Sequence, residues 1–220
     1  MGRIGIFTQD FKFYHDVIFC LKEWDLPFVS IEDPEKIPPD VVVVLSSDGD
    51  MSIPKQVKSV EANRAIRMAL PRLLNRFHFE SVVIGIDPGP RPGIAVTADG
   101  VLMEAFECPD IRSMGREVSD IAEFYAYRNI SIKMGNGDRP NRMEIMDTLE
   151  GTKIGVTIVD ESNTSVPHRI HDNALSAARI AFIEGNSYPL EIPRKFSRKD
   201  VYDREFVTIQ KLVLASQSGS

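Results

Sequence analysis

The chain has 220 residues, 43% hydrophobic and 26% charged, with a formal net charge of −6. That balance supports a packed core and excludes a disordered chain. It also excludes a protein that coats nucleic acid by charge alone, while leaving room for an enzyme that uses metal ions and a few local cations. The two cysteines, Cys20 and Cys108, show no metal-ligand spacing and make no disulfide framework, so a reducing, cytoplasmic setting is expected. The opening MGRIGIFTQDF turns polar too soon for a signal peptide. The longest apolar runs, such as VVVVL at 41–45, are strand-sized, so no membrane span is expected.

In chain order, residues 2–8 (GRIGIFT) read as an apolar strand. Residues 11–24 have helical spacing, with Tyr14, Ile18, Leu21 and Trp24 on one stripe. Residues 27–31 (PFVSI) form a second strand, Pro38-Pro39-Asp40 a turn, and 41–46 a third strand buried on both faces. The pattern predicts a small parallel α/β unit over 1–54, of the half-Rossmann or receiver kind. No G-x-G-x-x-G follows its first strand, so dinucleotide binding has no support. Asp10, Asp48 and Asp50 read as turn residues. Docking, homodimerisation or substrate orientation remain the open roles of this unit.

Residues 55–79 read as a helical connector, with an apolar face from Val57 to Leu74 and Pro71 expected to kink or split it. A second unit, 80–190, opens with a strand ending in a carboxylate, 81–87 (SVVIGID). The Asp99-Gly100 hairpin signal joins two further strands, 93–99 and 101–107. An amphipathic helix at 111–127, a strand at 129–135, a loop, a short helix at 142–149, a strand at 153–161 and a helix at 171–184 follow. Three antiparallel strands followed by parallel additions predict a mixed five-stranded sheet with flanking helices. Residues 191–220 form a mixed polar tail with one apolar segment at 206–214.

Three segments of the second unit carry candidate chemistry. In VIGIDPGPRPGIAV, 83–96, Asp87 ends a buried strand and is followed by a Gly/Pro turn that lets the backbone approach a ligand. In VTIVDESNTS, 156–165, alternation sends Asp160 and Glu161 to opposite faces, so only one of them enters a common site. In HRIHDNALSAARIAF, 168–182, Asp172 starts a helix rich in small residues suited to close packing on a sheet. Each segment alone also reads as ordinary turn or cap chemistry. Together, Asp87, Glu161 and Asp172 offer the oxygen ligands that Mg²⁺ or Mn²⁺ require.

These segments resemble the RNase H-like superfamily, in particular the YqgF-type and RuvC-type nucleases. GIDPGPRPGIAV is similar to their opening strand and turn, DESNTS to the YqgF-type DER-x-[ST]-T element, and HDNALSAARIAF to the closing helix. The resemblance covers about half the chain. It implies a metal-dependent nuclease acting on structured RNA or branched DNA, with Asp87, Glu161 and Asp172 as catalytic metal ligands. Lys133 stands on the fourth strand where a resolvase carries Glu, and Asn173 follows Asp172 where a resolvase has paired acids. The YqgF-like triad therefore carries over, whereas the resolvase quartet does not. Arg91, Lys133, Asn136, Arg139, Arg142 and Arg169 lie in or beside the loops and are candidate phosphate contacts. His168 and His171 read as helix-entry residues. Two competing expectations are a catalytically inactive RNase H-like module that binds nucleic acid or protein, and an actin-like ATP-binding protein.

Overall fold

The computed structural model describes residues 2–160, 172–183 and 207–215. Two compact units divide the chain: Met1–Phe79 with Glu123–Ala126 and Gln210–Ser220, and Glu80–Ala122 with Tyr127–Ile209. Among the described residues, no helix is long and apolar enough to cross a membrane.

Unit 1 is a four-stranded parallel sheet in the order β2-β1-β3-β4. Its strands are β1 (Arg3–Ile6), β2 (Phe28–Ser30), β3 (Val41–Ser46) and β4 (Gln56–Lys58). Helix α1 (Phe11–Glu23) begins at Asp10, whose carboxylate accepts the Phe13 amide at 3.0 Å, a side-chain N-cap. Buried Phe13, Val17 and Leu21 recur at helical spacing along it. The stretch expected as a helical connector instead supplies β4 and α2 (Ala62–Leu73), both packed on this sheet. A turn at Ser59, whose hydroxyl accepts the Glu61 amide at 3.2 Å, separates the two. Pro71 does not split α2, which runs two residues beyond it. The missing N–H falls near the helix end, where few bonds remain to be lost.

Unit 2 carries a five-stranded sheet in the order β7-β6-β5-β8-β9. The strands are β5 (Phe79–Asp87), β6 (Gly93–Ala98), β7 (Val101–Glu107), β8 (Tyr127–Gly135) and β9 (Val156–Val159). β5, β6 and β7 are antiparallel, while β8 and β9 are parallel. Numbered within the unit, this is the order 3-2-1-4-5, the mixed RNase H-like sheet that the sequence predicts. The predicted helix at 111–127 is shorter: a 3₁₀ turn at Ile111–Ser113 leads into α3 (Met114–Phe124), and Tyr127 already opens β8. α4 (Arg139–Leu149) starts earlier than expected because Asp138 caps it, accepting the Asn141 amide at 3.3 Å. β9 starts later than expected because Lys153 sits at φ 58° in the left-handed region, which a strand cannot continue through. α5 (Asn173–Phe182) lies against β6, β7 and β8. Residues 207 and 208 pair with Leu102 of β7, just before α6 (Ile209–Ala215).

Candidate functional site

The site is built around the way α5 lies on the sheet of unit 2. A Cβ placed on Gly85 would meet the Ala177 carbonyl oxygen at 2.1 Å and the Ala181 amide nitrogen at 2.7 Å. One placed on Gly93 would meet the Asn173 carbonyl oxygen at 1.8 Å. Helix backbone therefore rests directly on β5 and β6, which only glycine permits. Small residues continue the seat, with Ala95 packed on Leu175, Ala177 and Ala178. The opposite parity of β5 and β6 carries Ile84, Ile86, Ile94 and Val96, all fully buried.

This geometry decides where Asp87 faces. Side chains two apart on a strand share a face, so Asp87 is directed to the side of Gly85, the side that α5 covers. Its register partner across the antiparallel pair is Gly93, and directly opposed residues also share a face. Gly93 abuts the first residue of α5, which places the end of β5 beside the helix N-terminus. Asp172 is the N-cap of that helix, accepting the Leu175 amide at 3.1 Å. Both carboxylates are half-buried. A further clasp ties this end of the helix down: the Asn173 side-chain amide donates to the Arg91 carbonyl oxygen at 2.7 Å. The sequence offered Asn173 only as the residue after Asp172, while a glycine within a buried strand is the signal that could have found the seat at Gly85.

The two neighbouring strands end at the same level. Asn136, just past β8, donates from its side chain to Asp160, just past β9, at 3.0 Å. Lys133 and Thr157 are register partners, as are Gly135 and Val159. The Lys133 ammonium reaches the Ala181 and Ile183 carbonyl oxygens at 3.2 and 2.6 Å, so this parity faces α5. Glu161, Arg169, His168 and His171 lie outside the described residues. Among the described residues, no three His, Cys, Asp or Glu side chains group closely enough to hold a metal.

The candidate cations divide by neighbourhood. Arg91 is exposed and pairs with Glu107 at 3.4 Å, on the turn directly after Asp87. Arg139 is exposed at the start of α4. Arg142 donates to the Asn136 carbonyl oxygen and, at 3.5 Å, to that of Gly137, holding the loop after β8. Lys133 is drawn toward the C-terminal end of α5, a helix length from Asp172.

In unit 1 the three acidic turn residues sit in the loops beyond β1 and β3, where Asp10 caps α1. Asp50 accepts the Gln9 amide at 2.9 Å and the Ser47 amide at 2.7 Å, and Lys58 donates to its carbonyl oxygen. Burial works to raise the Asp50 pKa, but the Gln9 amide, the Thr8 hydroxyl, the Ser47 amide and the Lys58 charge together hold it below the ordinary range. This carboxylate fastens one loop to another.

Comparison with known proteins separates the two units. Residues 3–73 match the response regulator receiver-like domain family. No curated protein matches the chain by sequence. Similar solved structures include the nuclease domain of the large terminase subunit gp2 of bacterial virus Sf6, at 18% identity and TM-score 0.31, over 50% of this chain and 52% of that one. Another is Marinitoga piezophila Argonaute in complex with a 5′-OH guide RNA, at 12% identity and TM-score 0.29, over 77% of this chain and 41% of that one. The chain thus spans about half or less of each of these structures. Unit 2 thus has the strand order of an RNase H-like sheet, and residues 3–73 are similar to a receiver domain.

Proposed function

We propose that unit 2 is a divalent-metal-dependent nuclease that hydrolyses phosphodiester bonds in structured RNA or branched DNA. One observation carries this reading: the glycine seat beneath α5 brings the N-cap carboxylate Asp172 to the strand end that bears Asp87, on one face of the sheet. Asp87, Asp172 and Glu161 would hold Mg²⁺ or Mn²⁺. The donor set fits, because these hard cations take carboxylate oxygens. Glu161 shares its parity along the sequence with Thr157 and Val159, whereas Asp160 of the other parity is bonded to Asn136. A bound ion there supplies charge stabilisation to the reacting phosphodiester.

The remaining work falls to the chain's own residues. Arg91 and Arg139, exposed beside the strand ends, would bind backbone phosphates and orient the scissile bond. Asn136 and Arg142 shape the loop over which the substrate passes. The dense backbone contact between α5 and β6 keeps the carboxylates from drifting apart, as catalytic positioning demands.

The test is Asp87→Asn in the full chain. The substitution keeps the side-chain shape, so circular dichroism and melting stay close to wild type, while Mn²⁺-dependent cleavage of a panel of hairpin RNA, junction and flap DNA is lost. Cleavage at the wild-type rate would remove Asp87 from the mechanism. A folded protein that binds the panel without cleaving any member would favour a non-catalytic binding module.

A further inference from the structure

α5 carries Asp172 at one end, and its position along the sheet sets where that carboxylate stands. The glycine seat fixes how near the helix lies to the strands, and directional bonds at its ends add to packing in fixing its place along its own axis. Directional bonds resist sliding, and clasps of this kind hold α5 from outside at both ends. At its N-terminus Asn173 donates to the Arg91 carbonyl oxygen at 2.7 Å. At its C-terminus the Lys133 ammonium donates to the carbonyl oxygens of Ala181 and Ile183, at 3.2 and 2.6 Å. The last carbonyls of a helix have no partner within it and carry the negative end of its dipole, so a cation is the fitting clasp there. Lys133 stands two residues before the end of β8, which pairs with β5, the strand that ends in Asp87. The lysine thereby ties the helix bearing one carboxylate to the strand beside the other.

We infer that Lys133 is a positioning residue for the Asp87–Asp172 site, setting the register of α5 on the sheet by holding its C-terminal carbonyls, and is not a phosphate contact. The inference rests on the nuclease reading for its catalytic consequence, and on geometry alone for its effect on the helix.

Lys133→Met keeps the aliphatic stem and removes the donor. In steady-state cleavage with Mn²⁺, kcat falls by roughly 10- to 100-fold, the range that an ångström-scale misplacement produces. KM for the nucleic acid stays within about threefold, and the salt dependence of binding is unchanged. A lost phosphate contact would instead raise KM and reduce the salt slope by about one. Lys133→Arg, which can still reach the carbonyls, recovers most of kcat. Amide hydrogen exchange is read in parallel, free of substrate: in Lys133→Met the Leu175 and Ser176 amides at the far end of α5 lose protection. Should Lys133→Met fail to fold, Lys133→Gln carries the same comparison.

Unchanged kcat, or a raised KM with a shallower salt slope, overturns the inference. Unchanged exchange at Leu175 and Ser176 overturns it as well, whether or not the protein cleaves. The two readings fail separately. Wild-type protein that neither binds Mn²⁺ nor cleaves defeats the nuclease reading, and the exchange data still decide whether Lys133 holds the helix.

Discussion

Replacing Gly93 with alanine inserts a methyl group into space already taken by the first carbonyl of α5. The added carbon would lie 1.8 Å from the Asn173 oxygen. A carbon–oxygen contact relaxes at about 3.3 Å, so the helix N-terminus must lift by roughly 1.5 Å. The obstacle is backbone, which cannot swing aside as a side chain can. The cost therefore belongs near the top of the range of about 1–3 kcal/mol for overpacked interiors. In a chain of this size, each kcal/mol lowers Tm by roughly 2–4 °C, so Gly93→Ala melts about 5–10 °C below wild type. The same lift draws Asp172 from the end of β5, and kcat for Mn²⁺-dependent cleavage falls by about 100-fold. Gly89→Ala is the control: it lies on the same turn, and a Cβ there meets nothing within 4 Å. Differential scanning calorimetry of the pair decides the matter. If Gly93→Ala melts with Gly89→Ala, the helix does not press on β6, and the argument that joins Asp87 to Asp172 fails.

Asp172 has two separable duties. Asn caps a helix as well as Asp does, so Asp172→Asn leaves Tm nearly unchanged and removes cleavage, whereas Asp172→Ala also loses about 1 kcal/mol of cap stability in a denaturant titration. In unit 1, the hydrogen bond from Arg3, at 2.5 Å, holds the Asp40 carboxyl below its ordinary value of 3.8. A carboxylate depressed by folding stabilises the protein fully above its unfolded value, and that contribution is lost as pH falls through the folded one. Wild type therefore loses stability as pH drops below 3.8. In melts across acidic buffers, Asp40→Asn is less stable at neutral pH and lacks this part of the acid slope.

Local pattern determined a good deal of this protein. The parallel unit followed by a mixed five-stranded sheet, the carboxylate at the end of β5 and the small-residue character of α5 all follow from period and composition. These signals sit within short windows, where alternation and helical spacing have one physical reading. The boundaries that failed were also local, but they turned on single conformations. Lys153 takes a left-handed φ, Asp138 caps α4 earlier than the apolar spacing suggests, and three residues after the turn at 47–55 close the parallel sheet as β4.

Tertiary structure alone decided which partners each polar side chain would find. Lys133 is an unremarkable cation on a strand until the helix end fifty positions later arrives with its carbonyls. Asn136 meets Asp160 only because β8 and β9 run parallel and end together, and Asn173 meets the carbonyl of Arg91 across 82 positions. Composition records that such groups exist. Their pairing depends on how closely two layers approach, and here Gly85 and Gly93 set that distance by what they lack.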